Sequence, residues 1–185
     1  DKMSEPTAYK DYPNPEASPV TLNLNSGGLS VGKLSTKKQK KQGNETLVDD
    51  YNVSGADLAK SNASNNRLLY VTPILKEDLH ISGVSKISIK LASNKPAVNL
   101  SVWLVSLPWK EGKVKTTENI ITRGWADPQN QKSISESKPL KPGKFYELNF
   151  DLQPDDQIIK AGQQIGLMIF SSDQEFTLHP KPGTE

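Results

Sequence analysis

Two segments in the C-terminal part of the chain restrict its fold more than any others. Phe145–Leu152 alternates Tyr146, Leu148, Phe150 and Leu152 with Glu147, Asn149 and Asp151, the period-two pattern of a strand buried on one face. Gln163–Ser172 is apolar on both faces, with Ile165, Leu167 and Ile169 on one and Met168 and Phe170 on the other. Such a strand has to lie inside a sheet that is covered on both sides. Pro142-Gly143 opens the first segment and Ala161-Gly162 the second. Between them a polar, turn-rich connection is expected, with Asp155-Asp156 after Pro154 serving as turn residues.

The segments upstream repeat the pattern. Val98–Leu107 places Val98, Leu100, Val102 and Leu104 on one face and Asn99, Ser101 and Trp103 on the other. In Val84–Ala92, Ile87, Ile89 and Leu91 alternate with Ser88 and Lys90, and Asn94-Lys95-Pro96 supplies the turn between these two strands. Arg67–Leu75, Leu79–Gly83, Thr116–Gly124 and Glu175–Leu178 are further β-prone runs, and Ala126–Lys138 reads as a long loop with a short helical turn. No segment keeps a 3.6-residue apolar period over about 12 residues, so the prediction is all-β, an antiparallel sandwich. Residues 1–44 read differently. Pro6, Pro13, Pro15 and Pro19 make the start an extended, linker-like segment. Val20, Leu22 and Leu24 allow one strand at 20–25, and the polar run after it has too few apolar residues for an element of its own. The sandwich domain is therefore expected to occupy residues 45–185.

Composition mainly excludes. The 185 residues carry a formal net charge of only +2, which gives no basis for bulk binding to nucleic acid or a membrane surface. Absence of cysteine removes disulfides, thiolate–zinc sites and thiol catalysis together. No apolar run approaches the roughly 18 residues of a membrane span. Neither is a signal peptide visible, and the start at Asp1 marks the chain as an expected fragment of a larger protein. A polar, Asn-rich, Cys-free chain leans slightly towards an exported rather than a cytoplasmic protein.

Taken together, NRLLYVTPILKEDLHISG (66–83), NLSVWLVSLPW (99–109), IITRGWADPQN (121–130), LKPGKFYELNFDLQPDDQIIKAGQQIGLMIFSSD (140–173) and FTLHPKPGTE (176–185) resemble the C-terminal domain of the X-prolyl dipeptidyl aminopeptidases. These are serine peptidases of α/β-hydrolase type, and the resemblance covers most of residues 45–185. It implies a jelly-roll sandwich of galactose-binding-like form, attached after a catalytic domain that releases Xaa-Pro dipeptides from peptide N-termini. It also implies that nucleophile, acid and base lie upstream, so that no catalytic residue, metal ligand or cofactor belongs to this chain. The implied partners are the hydrolase domain of the same polypeptide and the peptide substrate. In the related enzymes the chain runs past PKPGTE into a closing strand, so an open sheet edge is expected.

Several residues invite a chemical reading of their own. Gly28-Leu29-Ser30-Val31-Gly32 spells the G-x-S-x-G of a nucleophile elbow, but no helix pattern follows it, and a glycine loop is the preferred reading. His80 and His179 lack a partner cluster and read as polar residues near strand or chain ends. Asp49-Asp50, Glu77-Asp78 and Asp155-Asp156 lack the spacing of a calcium loop. The KKQKK run at 37–41 is a solvated loop, because residues 1–66 hold eight Lys against eight acidic residues. Trp103, Trp109 and Trp125 are the aromatic set able to stack on a sugar or peptide, and Trp109 after Pro108 is the one expected to be exposed. The preferred alternative has them close the sandwich or face the catalytic domain. Arg123 is expected to dock against that domain with Asp127 fixing it. The competing function is thus a carbohydrate-binding module that uses these tryptophans, and a remote third is a hydrolase built on Ser30.

Overall fold

The computed structural model describes residue 8, residues 10–110 and residues 119–177. In chain order the elements are β1 (Asn23–Asn25), β2 (Gly32–Ser35), α1 (Gly55–Lys60), β3 (Leu68–Val71), β4 (Leu79–Gly83), β5 (Lys86–Leu91), β6 (Leu100–Leu107), β7 (Ile120–Ala126), a 3-10 turn (Pro128–Asn130), β8 (Tyr146–Asp151), β9 (Asp155–Ile159) and β10 (Gln164–Phe170). Six strands form one sheet in the order β1-β2-β3-β10-β6-β7, and β4-β9 and β5-β8 form two separate pairs. Every pairing is antiparallel except β2 with β3.

The two opening segments take the places their patterns demand. β10 lies between β3 and β6, with Leu167 opposite both Tyr70 and Leu104, and all its residues from Ile165 to Phe170 are buried. β8 buries Leu148 and leaves Glu147, Asn149 and Asp151 exposed. Ile87 of β5, Leu148 of β8, Leu152 and Ile159 of β9 share one buried cluster with Val102, Leu104 and Leu167 of the large sheet. Aliphatic side chains from the strand pairs and from the sheet thus fill one space, as in a two-layer sandwich.

Four local expectations are corrected. Asp155-Asp156 are not in a turn: they open β9, which pairs with β4 in register from Leu79↔Ile159 to Gly83↔Asp155. Only Ile159 of that strand is buried, so there was no alternation to detect. The polar run after residue 25 holds β2, whose Gly32 and Leu34 are buried. A Cβ at Gly32 would lie 2.5 Å from the Tyr70 ring, so the glycine lets β2 and β3 approach. β1, within the strand expected at 20–25, and β2 therefore both belong to the six-stranded sheet. Residues 174–177 fold as a turn on Asp173, whose carbonyl accepts from the Phe176 and Thr177 amides at 3.3 and 3.0 Å, rather than as a strand; Leu178 and His179 lie outside the described residues. Finally, α1 has six residues, too few to show a helical period. Ser54 caps it by accepting from the Asp57 amide, and the Glu175 carboxylate accepts from the Gly55 amide at 3.0 Å.

Candidate functional site

β6 alternates, so Val102 and Leu104 enter the inner core while Trp103 and Val105 emerge on the outer face of the sheet. There α1, the 173–177 turn and Trp109 cover them. Trp103 is 0 % exposed. Its ring stacks on Trp109 (centroids 6.4 Å, planes 18° apart) and meets Phe170 and Phe176 edge-on at 5.2 and 5.7 Å. Gly55 sits over the ring so closely that a Cβ there would be 2.1 Å from it. The Trp103 indole N–H donates to Asp173 Oδ2 at 2.8 Å, and the Trp125 indole donates to the same oxygen at 3.2 Å. Burial pushes the Asp173 carboxyl above its ordinary range, and the two indole hydrogen bonds oppose that shift.

Arg123 follows the same face. It lies opposite Trp103 in the β6–β7 ladder, and its guanidinium carbon sits 3.5 Å from the Phe176 ring centroid and 5.6 Å from that of Trp125, a cation–π arrangement. Asp127 does not fix it. The Asp127 carboxylate instead accepts from the Gln129 amide at 2.9 Å and caps the 3-10 turn. The structure therefore brings Trp103, Trp109, Arg123 and Trp125 together and leaves Asp127 to a local role. Trp109, expected to stand out, is half-buried. With Trp103 wholly enclosed and Trp125 held by Asp173, the three indoles do not form an open stacking surface. Asp173, Phe176 and Gly55 complete the cluster, and the sequence reading missed all three as members. Asp173 lies 70 residues from Trp103 and 48 from Trp125, and no local pattern carries a contact of that range.

The other candidate groups are occupied structurally. Ser30 closes a turn through its amide to the Gly27 carbonyl at 3.1 Å, and β2 rather than a helix follows. One Glu45 oxygen accepts from the Gly27 and Gly28 amides, both at 2.8 Å, while the other accepts from the Tyr70 hydroxyl at 2.6 Å. Buried Arg67 donates to the carbonyls of Gly28, Leu29 and Ser30, and to those of Leu58 and Ser61. This loop is clamped from both sides, and the G-x-S-x-G spacing reflects packing. His80 Nε2 contacts Asp156 Oδ1 at 2.8 Å, and the Ser82 hydroxyl donates to Asp156 Oδ2 at 2.6 Å. Those two partners hold the Asp156 carboxyl below the usual range, Ser82 contributing most. The hydroxyl donates to the carboxylate, not to the imidazole, so the trio lacks the order that activates a serine. Among the described residues no group of three His, Asp or Glu could hold a metal ion.

Comparison with known proteins agrees with this scaffold. The family described as the X-Pro dipeptidyl-peptidase C-terminal non-catalytic domain matches residues 1–185. A Rhodopirellula baltica relative named as an Xaa-Pro dipeptidyl-peptidase is 54% identical over the whole chain, and one from Bacillus cereus is 38% identical over 95% of it. The chain spans about 30% of the length of either. In fold it is similar to part of an alpha-amino acid ester hydrolase (TM-score 0.63, 20% identity, 85% of this chain and 29% of that one). It is likewise similar to part of an aminopeptidase from a marine sediment Thaumarchaeota archaeon (TM-score 0.61, 19% identity, 89% and 31%). Matched along its full length, this β-sandwich belongs to the family of X-Pro dipeptidyl-peptidase C-terminal non-catalytic domains.

Proposed function

We propose that the chain is the C-terminal sandwich, of jelly-roll and galactose-binding-like form, of a serine peptidase that releases Xaa-Pro dipeptides from peptide N-termini. In this reading the sandwich of residues 45–185, with β1 and β2 of the preceding segment added to its large sheet, packs on an upstream α/β-hydrolase domain and walls one side of its substrate entrance. The observation that carries the reading is the full-length family match, together with relatives about three times longer that are named for this activity. The structure supports a scaffold role in a second way: Ser30, His80 and the three tryptophans are engaged in turns, strands and packing. Arg123 and Trp125 are half-buried at an edge of the sheet, where a partner domain would complete their burial.

The test uses the full-length protein with a chromogenic Xaa-Pro substrate and Xaa-Pro-led peptides of increasing length. Dipeptide release that falls as the peptide lengthens is expected, and Ser30→Ala is expected to leave it unchanged. No Xaa-Pro release, or saturable quenching of tryptophan fluorescence by a sugar panel, would overturn the reading.

A further inference from the structure

Counted along the sequence, the lysines of residues 1–66 are matched by acids; in space they are not. Between Glu16 and Glu45 the chain carries Lys33, Lys37, Lys38, Lys40 and Lys41 and no acidic residue. The acids that balance them in composition are engaged elsewhere. Glu45 turns its two oxygens to the Gly27 and Gly28 amides and to the Tyr70 hydroxyl. Asp49 accepts from Ser172, Asp50 from Asn52 and Asp57 from Ser54. Asp11 lies on the arm, whose Tyr12 and Asn14 dock on β9 and β4. None of the five lysines forms an ion pair among the described residues.

The lysines are displayed by a fixed loop. Asn25 of β1 donates through Nδ2 to the Lys37 carbonyl at 2.9 Å, and its Oδ1 accepts from the Gln39 amide at 2.8 Å. Gln39 Oε1 in turn accepts from the Ser26 amide and hydroxyl at 3.2 and 2.9 Å, and Asn23 Nδ2 donates to the Ser35 and Thr36 carbonyls. In the KKQKK run the glutamine is thus the anchor, and Lys37, Lys38, Lys40 and Lys41 around it are all exposed. β1 is an edge strand of the large sheet, so the loop sits at that edge. Asn23 pairs with Ser35; Val20 and Leu22, which precede β1, therefore come out at the end of the ladder where Thr36 and Lys37 leave β2. Val20 is 71 % exposed and Leu22 37 %, so aliphatic side chains stand beside a cluster of cations.

We propose that this β1–β2 edge is a docking surface for an anionic phospholipid bilayer, on which Lys37, Lys38, Lys40 and Lys41 meet the headgroup phosphates while Val20 and Leu22 rest against the acyl boundary. The net charge of +2 describes the whole chain, whereas a charged surface within a Debye length feels the edge that faces it. A nucleic acid is recognised through arginine forks or stacking aromatics, and residues 17–44 contain neither. An acidic protein segment would account for the lysines and not for the two aliphatics. Attachment through this edge is independent of the peptidase reading.

The test is co-sedimentation of the full-length protein with vesicles of phosphatidylcholine and phosphatidylglycerol, against vesicles of phosphatidylcholine alone. Binding to the anionic vesicles is expected, and its loss at about 1 M salt, where charges are screened beyond roughly 3 Å. Lys37→Gln, Lys38→Gln, Lys40→Gln and Lys41→Gln are each expected to weaken it about fivefold, and the four together by more than about a hundredfold. Val20→Asn keeps every charge; it is expected to weaken vesicle binding several-fold and to leave any binding to polyglutamate or duplex DNA unchanged. Near-UV circular dichroism reports whether each variant keeps its fold, and turnover of the Xaa-Pro substrate is expected to be the same in the quadruple variant as in the parent. No binding to anionic vesicles, equal binding to neutral ones, or full binding by a folded quadruple variant would overturn the proposal. Vesicle binding indifferent to Val20→Asn would also overturn it, marking a general anion patch such as an acidic protein segment would use. Turnover lost in a folded quadruple variant would do so as well, by assigning the loop to contacts within the enzyme.

Discussion

The two faces of the large sheet are held by different kinds of chemistry. The inner face packs Val102, Leu104 and Leu167 against Ile87, Leu148 and Ile159. Those aliphatic positions ask only for an apolar side chain of suitable volume. The outer face is closed by specific fits: two indole N–H groups on one buried carboxylate, a glycine where only hydrogen fits, and a guanidinium laid on a phenyl ring. A face built from many interchangeable contacts should yield gradually under mutation. One built from few, each unique, should fail at single points.

The first way to break that comparison is Trp103→Ala. It empties the centre of the outer cluster and removes a partner from Asp173, and a loss of about 3–5 kcal/mol is expected in urea unfolding. Leu167→Ala on the inner face should cost about 2–5 kcal/mol, whereas Leu167→Met should cost less than about 1.5 kcal/mol, because the inner core accepts volume-conserving exchange. Gly55→Ala adds one methyl carbon 2.1 Å from Trp103 and is expected to destabilise by about 1–3 kcal/mol through overpacking, with altered near-UV circular dichroism of the tryptophans. If Gly55→Ala is neutral, the outer face is as forgiving as the inner one and the contrast fails.

Two carboxylates sharpen it through pH. The folded-state pKa of Asp173 is raised by burial, so the native state holds its proton longer than the unfolded chain. Its contribution to stability is most favourable below the unfolded value of about 4 and is lost as pH rises through the higher folded value. Asp173→Asn keeps an oxygen for both indoles and removes the charge. It should flatten that fall while staying within about 1 kcal/mol of the parent at low pH. Asp156 has the opposite sign. Ser82 and His80 hold its pKa down, so it stabilises above about pH 4 and that help disappears as pH falls through the lower folded value. Asp156→Asn should therefore remove a small part of the acid-limb dependence, the slightest effect of the series because the site is exposed.

Legibility followed the same division. β5, β6, β8 and β10 could be read because each repeats apolar residues at a period of two or is apolar throughout, and that pattern is local. β2 and β9 could not. Each buries one large apolar side chain, Leu34 or Ile159, and forms because a neighbouring strand offers a ladder of hydrogen bonds. The tryptophans were recognised as a set, but their arrangement was not. Asp127, two residues from Trp125, is the carboxylate that sequence proximity offers to Arg123, while the carboxylate that orders the indoles comes from Asp173 in the turn after β10.

Residue order alone determined that the chain is all-β, that Gln163–Ser172 lies inside a sheet, that no cysteine chemistry operates, and to which family the motifs belong. These follow from period, composition and local motif, quantities carried within a few residues of one another. The tertiary structure decided that β10 joins β3 to β6, that β9 exists at all, that Trp103 is enclosed rather than displayed, and that Arg123 rests on Phe176. Each of those depends on side chains tens of residues apart meeting in space, where burial raises the cost of an unpaired polar group enough to select one partner among many.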